Sequence, residues 1–136
     1  MLPRKTDSNN PRHWVEICEE DLEGVRLLAT NETSYRMCHG KLAEVMEKLL
    51  KADLIRLGWL LIKTHDLRKL MDELHERDPA FAKEADPVAR LLAEVYFMDR
   101  YPGFDAEVPD WPELRRQVDQ VSALVEKVKA RISAEK

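Results

Sequence analysis

The spacing of the apolar residues is the feature that most constrains the fold, because these residues recur every three or four positions along nearly the whole chain. That spacing places apolar side chains on one side of a helix, whereas a strand would show alternation. It predicts five helical segments and no strand: about Pro11 to Ala29, Ser34 to Leu57, Thr64 to Arg77, Pro87 to Asp99 after a short turn, and from Asp110 onwards. We therefore predict an all-α protein, an up-and-down bundle of four or five helices.

The length of 136 residues predicts a single domain over 1–136, in which the polar residues 1–10 form a flexible tail. No apolar run approaches the 18 or so residues that span a bilayer, and the N-terminus lacks the apolar centre of a secretory signal. We expect a cytoplasmic protein that does not enter a membrane. The charges are interspersed and sum to −4, so no basic block marks a nucleic-acid footprint, although a local patch could still form.

Several polar residues fall at informative places in the helical pattern. Asp21, His39 and Asp53 lie on apolar stripes, so each is predicted to be at least partly buried and to need a partner. Glu47 and Lys51 are four residues apart in the second helix, where the pattern predicts a solvated ion pair on its outer face. Asp21 and His39 thus become candidates for chemistry, while the Glu47/Lys51 pair is interpreted as surface.

Two helix starts can be assigned from their capping residues. Thr64 is a suitable N-cap for the third helix, with His65 and Asp66 in its first turn, where an acid suits the positive helix terminus. Asp110 and Glu113 have the spacing of a capping box at the start of the last helix.

No phosphate-binding glycine loop, nucleophile elbow or zinc-type cluster occurs, so no cofactor and no metal are predicted. Both cysteines fall on apolar faces and lack a CxxC spacing, so a disulfide is not expected.

Three runs of the sequence combine apolar residues with polar residues at defined points: EKLLKADLI at 47–55, GWLLIKTHDL at 58–67 and DRYPG at 99–103. Together they resemble the HEPN domain family, helical domains of prokaryotes and some higher eukaryotes. The resemblance implies a helical bundle, commonly a homodimer, often encoded beside a minimal nucleotidyltransferase in toxin-antitoxin pairs. The residues that match the family pattern are Asp21, Glu47, Lys48, Lys51, Thr64, His65, Asp66, Arg100, Tyr101 and Pro102.

The catalytic members of this family are metal-independent ribonucleases that use an arginine followed after four to six residues by a histidine. Arg100 is followed at those positions by Asp105, Ala106 and Glu107, so the expected general base is absent and we lean against an enzyme. Arg68 and His75 do have the spacing. Twelve arginines and four histidines in 136 residues predict about one such spacing by chance, so we interpret this pair as surface.

Three functions remain open. The first is a non-catalytic module that binds a nucleotide or RNA or docks a nucleotidyltransferase. Its candidate ligand-binding residues are His65, Asp66, Arg100, Tyr101, Asp21 and Lys48. The alternative is a ribonuclease toxin with a non-standard base, for which the catalytic candidates are Arg100, His65 and His39. The third is a purely structural scaffold, in which His65 and Arg100 pair with Asp21 and Asp53 and fix the helix register.

Overall fold

A computed structural model describes residues 8–59, 64–95 and 108–135 of the chain. These residues form five helices and no strand, as predicted. The helices are α1 (Pro11–Thr30), α2 (Tyr35–Arg56), α3 (Leu67–Arg77), α4 (Pro79–Ala93) and α5 (Trp111–Ala134). Among the described residues, no helix is long and apolar enough to cross a membrane.

Helix α2 is the central element, because it packs against each of the other four helices. Its buried residues lie on every side of the helix rather than on one stripe. Leu42, Met46, Leu49 and Leu50 are fully buried, and the polar residue Asp53 is buried as deeply. Between Cys38 and Leu54 only Lys41, Glu44 and Lys48, at intervals of three and four residues, are partly exposed, so the other polar residues there must find partners inside the protein.

Helix α1 begins at Pro11 because Asn10 accepts a hydrogen bond from the backbone N–H of Arg12, at 3.0 Å. The indole Nε1–H of Trp14 donates to the carbonyl of Ser8, at 2.8 Å, which attaches the preceding segment to the helix. The predicted flexible tail over 1–10 stays a prediction for residues 1–7, which lie outside the described part of the chain.

The start of α3 differs from the prediction. Asp66, and not Thr64, is the N-cap: its side chain accepts from the backbone N–H of Arg68, at 2.9 Å. Thr64 acts one step earlier, since its hydroxyl accepts from the backbone N–H of Asp66, at 3.1 Å. The physical reason is that an aspartate carboxylate is at least as good an N-cap as a threonine hydroxyl, so the N-cap lies two residues later than predicted.

Helix α4 also differs from the prediction of a short turn followed by a helix from Pro87. It is one continuous helix from Pro79, and Pro87 lies inside it. Asp78 caps its start by accepting from the backbone N–H of Phe81, at 3.2 Å. A proline inside a helix removes one hydrogen bond, here the one to the carbonyl of Lys83. The burial of Phe81, Ala82, Ala85, Val88, Ala89 and Leu92 along one side of α4 keeps the helix continuous in spite of that loss.

Helix α5 opens as predicted, with the carboxylate of Asp110 accepting from the backbone N–H of Glu113, at 3.1 Å. The sequence of α5 also carries an apolar stripe, which could pack either in the bundle or against a second copy of the chain; the structure buries it within this chain. The stripe consists of Leu114, Val118, Val121, Val125, Val128 and Ile132. Helix α5 contacts α1, α2 and α4, so it closes the bundle.

Candidate functional site

A buried ion pair in the middle of α2 contacts an exposed histidine at the beginning of α3. The ammonium group of Lys51 lies 3.0 Å from Oε2 of Glu47, and these two residues are only 5% and 6% exposed. Nδ1 of His65 lies 3.0 Å from Oε1 and 3.2 Å from Oε2 of the same carboxylate. The side chain of His65 is 65% exposed. Glu47 therefore joins a buried cation to an imidazole at the surface.

The prediction that Glu47 and Lys51 form a solvated surface pair is therefore wrong. The pair forms, but it is buried, because Trp14 of α1 lies over Lys51 and His65, before α3, contacts Glu47. The ring of Trp14 on α1 covers Lys51, with the ammonium nitrogen 5.6 Å from the ring centroid. This cation–π contact and the carboxylate of Glu47 together offset the loss of water around the lysine.

A second ion pair, between α1 and α2, lies beside the Glu47/Lys51 pair. Nζ of Lys48 is 3.7 Å from Oδ2 of Asp21, and both side chains are about one quarter exposed. Asp21 is thus partly buried and paired, as its position on the apolar stripe of α1 predicted. Because Lys48 follows Glu47 directly, the two ion pairs are neighbours on α2.

The remaining candidate residues are not all brought to this place. His39 precedes Glu47 by eight residues on α2, which corresponds to about 12 Å along the helix axis. It is buried, and its ring meets that of Tyr35 edge to face, with centroids 5.6 Å apart. Tyr35 in turn meets Trp111 in the same way, at 5.2 Å. His39 therefore belongs to an aromatic cluster at the other end of α2, away from His65.

Arg100 and Tyr101, the other predicted ligand-binding residues, lie outside the described residues, as does Pro102. Asp66 is described, and its carboxylate is engaged as the N-cap of α3. The candidate site in the described part of the chain therefore consists of Asp21, Glu47, Lys48, Lys51 and His65.

The scaffold hypothesis assigned Asp21 and Asp53 as partners of His65 and Arg100. The structure shows Asp21 with Lys48, and Asp53 with two arginines. Nε of Arg56 lies 2.8 Å from Oδ1 of Asp53, and Nη1 of Arg131 lies 3.6 Å from Oδ2. Arg131 also contacts Asp78 at 2.8 Å and thereby links α2, α4 and α5. The predicted contact of His65 with Asp21 or Asp53 is therefore wrong, because His65 contacts Glu47 instead.

Arg68 and His75 line one groove between α3 and α4, which has a volume of about 630 Å³. An acidic residue of α4 and the acidic residue that caps its C-terminal end contact both of them from the other side of the groove. Nε2 of His75 lies 3.4 Å from Oδ1 of Asp86, and Nη2 of Arg68 lies 3.6 Å from Oε1 of Glu94. The sequence did not predict that Arg68 and His75 share a groove. The ion pairs across the groove agree with the interpretation of these two residues as a surface pair.

The two cysteines are free and buried, as predicted. Burial raises the pKa of the Cys18 thiol to about 12, although the positive charge of Lys48 acts in the opposite direction. Sγ of Cys18 lies 3.5 Å from the carbonyl oxygen of Val45, to which the thiol donates. A neutral, buried thiol is a poor nucleophile and a poor metal ligand. Among the described residues, no group of three or more His, Cys, Asp or Glu side chains could hold a metal ion.

Sequence reasoning missed that Glu47 and Lys51 belong to the site. One signal was present: the residues from Leu42 to Ile55 contain more apolar side chains than a single stripe can hold. Such a pattern indicates a helix that is enclosed on several sides, so polar residues within it are buried rather than solvated. The partner of Glu47 could not have been found in this way, because His65 lies 18 residues further along the chain.

The fold and the site define an all-helical bundle with a polar cluster on its central helix. A family model described as HEPN domain matches residues 11–133. Since this match covers nearly the whole chain, the protein belongs to the HEPN domain family, and the resemblance of the three sequence runs is confirmed. No curated protein and no solved structure matches the chain.

Proposed function

We propose that this HEPN domain is a non-catalytic module that binds a nucleotide or RNA through His65. The observation that supports the proposal is the hydrogen bond between the buried carboxylate of Glu47 and the exposed imidazole of His65. Burying a carboxylate and an ammonium group costs several kcal/mol per ion before their mutual attraction is counted. Because the Glu47/Lys51 pair is costly to bury and lies directly beneath the exposed imidazole of His65, the pair favours a binding role for that imidazole.

The charges of the described site set a requirement on the ligand. Asp21 and Glu47 carry two negative charges, and Lys48 and Lys51 carry two positive ones, so the four side chains are neutral together. A phosphate group needs a further cation to bind there. In this proposal Arg100 supplies that cation and the ring of Tyr101 stacks on a base.

A titration followed by NMR tests the binding proposal. The chain, labelled with 15N in its histidines, is titrated with adenosine monophosphate, uridine monophosphate and a short single-stranded RNA. We expect the His65 resonances to shift and the binding to be lost in His65→Ala but retained in His75→Ala. Equal binding by both variants, or no shift of His65 with any of the three ligands, would contradict the proposal.

We also propose that the module forms a homodimer and acts with a minimal nucleotidyltransferase. This part rests on the family, whose members often occur beside such an enzyme. Light scattering on the purified chain tests the dimer, and a monomeric mass would rule it out. Co-expression with a minimal nucleotidyltransferase, with a tag on one chain only, tests the partner. Recovery of the tagged chain alone would count against a stable complex.

A ribonuclease is the second candidate function, because the same hydrogen bond has the geometry of a general base and the group that orients it. The test is cleavage of total cellular RNA in the presence of a chelator. We expect no cleavage by the parent chain. Cleavage that is lost in His65→Ala would establish the ribonuclease instead, and cleavage lost only in His75→Ala would assign it to the groove between α3 and α4.

A further inference from the structure

The buried pair of Glu47 and Lys51 has a consequence for the chemical state of His65. A carboxylate has only acceptors, so Nδ1 of His65, at 3.0 Å from Oε1, must donate its proton to Glu47. In a neutral imidazole one nitrogen donates and the other accepts. Glu47 therefore holds the ring in the tautomer that carries its proton on Nδ1, and it makes Nε2 an acceptor.

Lys51 is the second partner of the carboxylate that His65 contacts. The negative charge of Glu47 is already compensated by the ammonium group at 3.0 Å, which is just as buried. Among the described residues, Lys48, which is paired with Asp21, and Asp66, which caps α3, are charged groups beside this pair along the chain. The buried carboxylate thus has its counter-ion in Lys51, and towards His65 it acts as a hydrogen-bond acceptor.

We propose that Glu47 is a positioning residue that fixes the tautomer of His65, so that Nε2 accepts a hydrogen bond from a hydroxyl or amino group of the ligand. This inference rests on the proposed binding function and adds to it the kind of group that His65 recognises. A phosphate without a proton cannot donate to Nε2, so phosphate recognition falls to other residues. The nucleoside part of a nucleotide, with its ribose hydroxyls and exocyclic amines, fits the acceptor.

The experiment is a measurement of the histidine tautomers by 15N NMR in the ligand-free protein at pH 8.5, where an ordinary imidazole is neutral. We expect the His65 spectrum to show a protonated Nδ1 and an unprotonated Nε2. A spectrum with the proton on Nε2, or with protons on both nitrogens, would overturn the inference. His75 serves as the internal reference, because its contact with a carboxylate is made through Nε2.

A double variant, Glu47→Met with Lys51→Met, tests the cause. Replacing both members of a buried ion pair by apolar residues of similar size leaves the fold stable, whereas removing one member leaves a buried charge. We expect the double variant to shift His65 towards the Nε2–H tautomer that free imidazole prefers. A His65 spectrum identical to that of the parent chain would show that Glu47 does not set the tautomer. Asp86→Asn is the matched control, since it removes the carboxylate partner of His75 and should leave His65 unchanged.

Ligand binding is measured separately, which keeps the two proposals distinguishable. If the ligand hydrogen bond to Nε2 forms, the double variant should bind the nucleotide about 2- to 10-fold more weakly, the usual range for one hydrogen bond. Unchanged affinity together with the altered tautomer would overturn the acceptor role. If the parent chain shows the expected tautomer but binds none of the three ligands, the binding function fails while the positioning by Glu47 stands.

Discussion

The substitution Asp53→Asn should destabilise the bundle more than any other single exchange of a carboxylate for its amide in the described residues. Asp53 is fully buried and receives Nε of Arg56 at 2.8 Å, while Nη1 of Arg131 lies 3.6 Å from its second oxygen. Asparagine keeps the shape but loses the charge, and its amide must turn its NH₂ group towards one of two guanidinium groups. Donor then faces donor, and two cations that are largely buried lose their closest common anion.

The expected loss follows from the burial of the network. Removing one partner of a buried ion pair typically costs 3–5 kcal/mol. The lower end applies here because Arg56 keeps Glu135 at 2.6 Å and Arg131 keeps Asp78 at 2.8 Å. For a chain of 136 residues, about 3 kcal/mol corresponds to a decrease of about 10 °C in Tm. The assay is urea denaturation followed by circular dichroism, with an unchanged m value as the condition for comparison.

Glu135→Ala is the matched control, because its carboxylate contacts the same Arg56 but its side chain is 54% exposed. An exposed ion pair contributes about 0–1 kcal/mol, so this variant should lose less than about 3 °C. If Asp53→Asn lost less than about 1 kcal/mol, or no more than the control, the reasoning that buries Asp53 between two arginines would be refuted.

The pKa of Arg56 gives a further check. Burial lowers it, but the hydrogen bonds to Asp53 and Glu135 outweigh burial and leave it raised. A raised arginine pKa stabilises the fold at every pH below the ordinary arginine value, so the difference between variant and parent should be the same at pH 6 and pH 9.

Three further outcomes are expected. Leu49→Asp should prevent folding because Leu49 is fully buried on α2, whereas Lys41→Ala should change the free energy of unfolding by about 0.5 kcal/mol or less; melting curves in the reverse order would refute the orientation of α2. Cys18, with a pKa raised by burial to about 12, should react with a thiol reagent at pH 8 only when denaturant is added, and fast labelling of the folded chain would contradict its burial. Hydrogen bonds, foremost from Arg116, lower the pKa of Glu113 below 4.5. The stability that Glu113 contributes is therefore present above that pH and is lost as the pH falls through the lowered pKa. Glu113→Gln should lower Tm at pH 7 and not at pH 2, and an equal difference at both would count against this pair.

The fold could be predicted largely from the sequence because helix formation and burial both follow from local spacing. The start of α5 follows from a capping residue next to it in the chain, and the structure confirms it, as it confirms the predicted start of α1 at Pro11. The two errors, at the start of α3 and within α4, have a different cause. Asp66 competes with Thr64 for the same cap, and Pro87 is tolerated inside α4 because tertiary packing outweighs the loss of one hydrogen bond. Rules that use only neighbouring residues in the sequence cannot decide either the choice of cap at α3 or the continuation of α4 past Pro87.

The site could be predicted only in part. Asp21 could be selected because it interrupts an apolar stripe, and His65 and Lys48 because they match the family pattern, but their partners depend on how the helices are arranged. Spacing along one helix correctly pairs Glu47 with Lys51, yet it places them in solvent because it contains no information on how many neighbours α2 has. Once α2 is known to be enclosed, the burial of this pair and the contact of Glu47 with the segment before α3 follow.

Two buried acids of α2 show how a structural network differs from a site. Asp53 is held by Arg56 and Arg131, which remain cations throughout the accessible pH range and whose contacts join α2 to α4 and α5. Glu47 is held by Lys51, but its other partner is a 65% exposed imidazole, which can donate, accept or take up a proton. The first arrangement can fix helix positions and little else. The second gives one surface ring a defined orientation and a defined acceptor, which packing alone does not require, so binding at His65 is favoured over a purely structural role.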